Sequence, residues 1–364
     1  MTKNAMGSAS QNAGSADLSV WEKLDLVCKI VLILVTIPFR LVAGLFRGSR
    51  GAKSYRVHVG HGLVRTLTGR LTARQTQYMG PPTNKGYEAW AKENRFPPDT
   101  VELKHGGLGH WLGNKKAKKV LIYYHGGGFQ LSANPFYFKF LSDLIQDLGK
   151  QGKDLSVFLL TYTLTPHATY PTQLRQSVEA LRYILSTSQY SPSDIYLGGD
   201  SAGGNICLGV LSHLSHPHPE IEAVQLNRQL GGMFMLSPWV SFSADWPSVR
   251  EHEYKDVVDK KSGLKWADDF LGGRKGDNYC EAVLAPPEWW ANAKVRDVLV
   301  IAGSEELLLS SIEVFVKKFK GQVPNTQYVL VPDEGHVSVI LDSMIGVEQT
   351  RQEKALKSWL SDVI

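Results

Sequence analysis

Gly199-Asp200-Ser201-Ala202-Gly203 sets a serine among small neighbours, between an apolar run that reads as a strand and one that reads as a helix. A G-x-S-x-G run in that position is a nucleophile elbow, a tight turn that lifts a hydroxyl above a sheet edge. Bulky side chains would clash in such a turn, which accounts for the glycines and the alanine. The turn also aims the N–H of Ala202 at the space above Ser201. Alone, the pattern is weak, and a glycine-rich strand–helix turn without chemistry is the competing reading.

A second run adds to it. His125-Gly126-Gly127-Gly128-Phe129 follows the β-forming "KVLIYY". Acyl transfer builds negative charge on a former carbonyl oxygen, and each fixed N–H donor that meets it lowers the barrier by about 3 kcal/mol. Adjacent glycines let a backbone turn its N–H groups toward such an oxygen. Gly127 and Gly128, with Ala202, are therefore the expected oxyanion hole, and His125 is expected to brace the loop rather than move protons.

A serine hydroxyl needs a base. Of eleven histidines, His336 in "VPDEGHVS" follows the last strand run, where a doubly wound hydrolase carries its base. His213, His216 and His218 fall in or after the helix behind Ser201 and are expected in solvent. The chain order serine, acid, histidine places the acid after the preceding strand, in "VLVIAGSEELLLSS". Glu305 and Glu306 are adjacent there. Counting forward from the strand favours Glu305, and counting back from the helix favours Glu306; the reading leans narrowly to Glu305.

The elements that would position these groups alternate. Strand runs occur at Lys119–His125, Leu155–Tyr162, Asp194–Gly199, Gly231–Ser237, Asp297–Gly303 and Thr326–Val331, with helical spacing at Pro171–Ser186 and Ala202–Leu214 between them. Continuous apolar strands separated by helices predict an α/β fold with a mostly parallel, doubly wound sheet covered on both faces. The insert from Pro238 to Arg296 carries Trp239, Trp246, Trp266, Trp289 and Trp290, as a lid or pocket wall would, although a satellite core explains any one of them equally well. Cap elements are expected at about 51–100 and 238–296 of a hydrolase domain covering 51–364.

Apolar and charged contents of 43% and 21% are those of a globular chain, so disorder is expected only in a small, polar tail at 1–20. The net charge of +5 is modest, but Leu26 to Tyr87 holds no Asp or Glu beside ten Lys and Arg. Within 21–50, "LVCKIVLILVTIPFRLVAGLF" forms an apolar segment whose unbroken core, Ile30–Phe39, is shorter than the ~20 residues a span needs. An apolar segment beside basic residues suits an anionic membrane surface, spanning or interfacial. A buried helix packed on the domain is the alternative. If the segment spans, the basic excess after it favours a cytosolic domain. No nucleic-acid reader motif is visible. Cys28, Cys207 and Cys280 have neither metal-ligand nor disulfide spacing.

Taken together, "HGGGF", "GDSAGGN" and "DEGH" resemble the hormone-sensitive-lipase branch of the α/β-hydrolases. "TYTLTPHATYPTQLRQ" and "LSPWVSF" are similar to its fungal steryl-acetyl-hydrolase-like subgroup. The resemblance implies an esterase without metal or cofactor, acting on acylated hydrophobic alcohols such as sterols or secondary metabolites. It also implies an N-terminal hydrophobic anchor and an endomembrane location such as the endoplasmic reticulum. Many members read D-P-L at the acid, and this chain departs there. An amidase, lactonase or release hydrolase of a biosynthetic pathway would use the same residues. A non-catalytic receptor on this fold would lack the base, whereas His336 is present.

Overall fold

In a computed structural model describing residues 17–187 and 189–364, eight strands form one sheet. They are β1 (Thr100–Glu102), β2 (Leu108–Leu112), β3 (Lys119–Tyr124), β4 (Leu155–Thr161), β5 (Ile195–Asp200), β6 (Leu230–Leu236), β7 (Val295–Gly303) and β8 (Thr326–Val331). Their order is β1-β2-β4-β3-β5-β6-β7-β8. From β4 to β8 all neighbours are parallel, with Ile122 opposite Leu197 and Leu197 opposite Met233. The six strand runs of the sequence are all present. The antiparallel edge pair β1 and β2 carries no such signal, being three and five residues long with Gly109 inside.

Residues alternate across the sheet, as strand geometry requires. Val120, Ile122 and Tyr124 of β3 face a core shared with the helices Thr172–Ser186 and Leu309–Lys320. Leu121 and Tyr123 face the opposite core, closed by the helices Pro135–Lys150 and Arg351–Val363. Both faces are dry, so the central strands are apolar throughout. The sheet is doubly wound.

Ahead of the sheet lie the helices Val20–Leu45, Tyr55–Arg70, Ala73–Met79 and Thr83–Glu93. Ser19 and Glu22 close a capping box on the first. Of the tail expected to be disordered, residues 1–16 lie outside the described residues. The rest corrects the expectation, because Leu18 is buried and Ser19 is a helix cap. The insert 238–296 holds the helices Pro247–Glu251 and Lys260–Leu271; Asp259 caps the second, which ends at Gly272 in the left-handed region.

Candidate active site

Ser201 joins β5 to the helix Ala202–Ser215 with φ 50° and ψ −114°. A non-glycine residue there carries strain, of order 1–3 kcal/mol, that its surroundings must hold. They hold it from both sides: Ser201 N donates to Leu236 O at 2.9 Å, and Ser201 O accepts from Trp239 N at 3.0 Å. The helix also starts against the backbone of β3. A Cβ on Gly203 would lie 1.8 Å from Tyr124 O, so only glycine fits.

The loop after β3 turns back over the serine, with Gly127 at φ +100° and Gly128 at φ +59°. Its anchor is Asp200, which the sequence reading passed over. This buried carboxylate accepts from Gly126 N at 2.9 Å, Tyr123 OH at 2.9 Å and Tyr137 OH at 2.7 Å. Burial pushes its carboxyl up to about 6, against the pull of those bonds. The only sequence signal was its place beside Ser201. Among the described residues, the amides of Gly127, Gly128 and Ala202 find no protein acceptor.

His125 is fully buried, stacked on Tyr162 at 4.5 Å with Nδ1 2.8 Å from Gly126 O. Desolvation lowers its pKa to about 4, so the ring is neutral.

His336 and Ser201 line the same space. His336 Nδ1 lies 3.0 Å from Glu306 Oε2, and both side chains are buried. Burial opposes charge on the ring, but the bond to Glu306 and the charges of Asp256, Glu306 and Asp200 outweigh it and raise the pKa. Next to His336, Val337 has φ 48°, an uncommon position for a β-branched residue.

Of the two adjacent glutamates, Glu306 lies against His336, and Glu305, which spacing narrowly favoured, does not. Glu305 Oε1 pairs with Lys255 Nζ at 3.0 Å, while Glu306 points inward and its Oε1 accepts from Gly303 N at 3.2 Å. The neighbouring Asp256 accepts from Leu307 N at 2.5 Å and Val257 N at 2.6 Å. A segment of the insert, some fifty residues upstream, thus sets which glutamate turns to the histidine. Spacing along the chain could not reveal it.

His213, His216 and His218 are also corrected. His213 and His218 are buried, and His213 accepts from the backbone N–H of His218. His216 stacks on Trp289 at 3.9 Å. The sequence likewise gave no hint of His61, buried with Nε2 2.9 Å from Asp342 Oδ1 and Nδ1 2.9 Å from Lys255 O.

Two small cavities of about 50 and 90 Å³ meet at Gly128, Ser201, Trp266 and His336. The first is walled by Trp239, Phe242, Val249, Leu264, Leu307 and Leu308, the second by Val64, Thr68, Leu131, Tyr137, Val257 and Leu341. Trp239 and Trp266 therefore line the site. Trp290 instead fills a core against Phe315 and Phe319. Among the described residues, no cluster of His, Cys, Asp and Glu could hold a metal ion.

Residues 121–340 match the profile of the α/β-hydrolase fold family. Steryl acetyl hydrolase 1 of Saccharomyces cerevisiae is 27% identical over 242 residues, 61% of this chain and 54% of that protein. Arylacetamide deacetylase of Bos taurus is 28% identical over 167 residues, 44% of this chain and 40% of that one. The chain thus spans about half or less of the length of these curated relatives. Among solved structures, an esterase of the bacterial hormone-sensitive lipase family superposes with a TM-score of 0.63 at 22% identity, covering 86% of this chain and 99% of that one. The parallel sheet, the strained serine after its fifth strand and the family match over 220 residues lead to one conclusion: the chain belongs to the α/β-hydrolase fold family.

Proposed function

We propose that this protein is a serine carboxylester hydrolase of the hormone-sensitive-lipase branch, acting on a small acyl ester of a hydrophobic alcohol. The observation that carries this reading is the 3.0 Å contact of His336 Nδ1 with Glu306 Oε2, in the space that Ser201 and the glycine loop share. The bond to Glu306 fixes the proton on Nδ1 and leaves Nε2 to accept from Ser201. Ser201 attacks the ester carbonyl, and the oxyanion is met by the amides of Gly127, Gly128 and Ala202. His336 then protonates the departing alcohol. Water repeats the cycle on the acyl-serine, and no cofactor or metal takes part.

The cavities beside the serine are walled largely by apolar side chains, which suits a hydrophobic ester. The names of the two relatives, an acetyl hydrolase and a deacetylase, point to acetyl as the acyl group. The segments 51–100 and 238–296 act as the cap, supplying Val64 and Thr68 on one side and Trp239 and Trp266 on the other. The apolar helix Val20–Leu45 associates the enzyme with a membrane, of the endoplasmic reticulum or another endomembrane. A sterol and a secondary metabolite are both open as the alcohol.

The test is turnover of p-nitrophenyl esters from acetate to octanoate, with Ser201→Ala as control. Acetate turnover that vanishes in the variant is expected. Wild-type protein that hydrolyses no ester and takes no fluorophosphonate label at Ser201 overturns the reading. The arylacetamide relative favours amide cleavage as a second reading, and faster turnover of an aryl acetamide than of phenyl acetate would establish it.

A further inference from the structure

The helix Val20–Leu45 is long and apolar enough to cross a bilayer, and only 11% of its most apolar window is buried. Most of the large apolar side chains exposed among the described residues lie on it, including Trp21, Leu24, Val31, Val35, Phe39 and Leu45. Its buried and half-buried positions nevertheless form a stripe. Leu26, Ile33, Arg40 and Gly44 follow one another at helical spacing from the first turns to the last.

That stripe is bonded to the catalytic domain at both ends. Near the N-terminus, Gln75 Nε2 donates to Asp25 Oδ2 at 2.7 Å, Arg74 meets Glu22 at 3.3 Å, and Leu26 packs with Leu71. Near the C-terminus, Tyr55 OH donates to Leu41 O at 2.8 Å, and a Cβ on Gly44 would touch Tyr55 and Val59 at 3.1 Å. The helix Tyr55–Arg70, 16 residues and about 24 Å long, thus runs antiparallel alongside its stretch from Gly44 back to about Leu26. To cross a bilayer the first helix must either break these contacts or draw the second in with it. The second carries Arg56, Arg65 and Arg70, whose burial in hydrocarbon is costly.

We propose that the helix Val20–Leu45 lies in the plane of an anionic lipid surface, with Tyr55–Arg70 covering its protein side and its outer face in the lipid. The partner's charge follows from the surroundings. Arg50 and Arg56 are exposed at one end of the helix and Arg70 at the other, where Glu22 and Asp25 are already paired with Arg74 and Lys29, and no carboxylate occurs from Leu26 to Tyr87. The apolar face continues onto Tyr78 and Met79, both exposed. The same second helix supplies Val64 and Thr68 to the cavity beside Ser201, so lipid and active site are separated by one helix, about 10 Å across.

This inference rests on membrane association and goes beyond it. Cys28 is exposed and Cys207 and Cys280 are buried, so a thiol-reactive fluorophore marks position 28 of the full chain. Val35→Cys and Val42→Cys in a Cys28→Ser background mark the same face one and two heptads on. Depth is read by nitroxide-lipid quenching on phosphatidylcholine vesicles containing phosphatidylserine. Three equal depths are expected. Depths stepping by about 10 Å per heptad would establish a spanning helix and overturn the proposal. Shielded labels on a dimer without vesicles would make a second copy of the chain the partner and also overturn it. No vesicle binding at all would remove membrane association itself and leave the esterase reading standing.

Discussion

Lys255 Nζ holds Glu305 at 3.0 Å, and the adjacent Glu306 is thereby left to face His336. A residue of the insert between β6 and β7 thus bears on the acid–base pair. Two adjacent glutamates, alike in sequence, have unlike environments. Glu306 is fully buried, whereas Glu305 sits at the edge of the site with an ammonium partner.

Glu306→Gln is therefore expected to lower kcat on p-nitrophenyl acetate by about 10³–10⁴-fold, because a neutral amide cannot stabilise the imidazolium that forms. Glu305→Gln is expected to stay within a few-fold of wild type. Equal losses in both variants, measured in parallel with thermal melts, would show that the two carboxylates act together.

The pH profile follows from the same pair. Ser201 needs a neutral imidazole, so kcat/KM should rise with pH as His336 loses its proton. Burial lowers the affinity of the ring for that proton, but Glu306 and the nearby charges raise it more. The limb should therefore have its midpoint above the ordinary histidine value of about 6.5. In Glu306→Gln the residual activity should show that midpoint moved to lower pH.

Asp200 ties the glycine loop to the elbow through three donors. Asn in its place offers one neutral oxygen to Gly126 N and Tyr123 OH and turns an N–H₂ toward Tyr137 OH, so the charge-assisted hold on the loop weakens and the oxyanion amides drift. A fall in kcat of about 10²-fold with a smaller change in KM is expected for Asp200→Asn. Stability carries a second signature. Burial holds the folded carboxyl up at about 6, above the ordinary aspartate value of about 3.9. The folded state therefore binds the proton more tightly than the unfolded chain, and stability falls as pH rises through this window. Denaturant melts of Asp200→Asn should lack that slope.

His61 and Asp342 form a buried pair that joins the helix Tyr55–Arg70 to the segment after His336. Removing the ring in His61→Ala leaves a buried carboxylate alone, at a cost of about 3–5 kcal/mol. Burial opposes charge on His61, but the bond to Asp342 outweighs it and raises the pKa. The stabilisation from that charge is complete below the unfolded histidine value and fades as pH rises through the folded one. The difference in melting temperature between wild type and His61→Ala should shrink accordingly.

The parts of this protein that local chemistry dictates were open to reading from the chain alone. Apolar runs such as "KVLIYY" and "DVLVIAG" are strands because both faces of a doubly wound sheet are dry. Ser201 and the glycine loop stand out in the chain because strained turns admit few residue types, and the structure sets His336 beside the same cavity as Ser201. Only the folded structure set Glu306 rather than Glu305 against His336, buried His213 and His218, and made Asp200 an anchor. Each of those outcomes depends on a partner outside the residue's own helix or strand: Lys255, Glu222 and Tyr170, or Tyr123 and Tyr137. Periodicity records which face of an element is apolar, but not which distant side chain will lie against it.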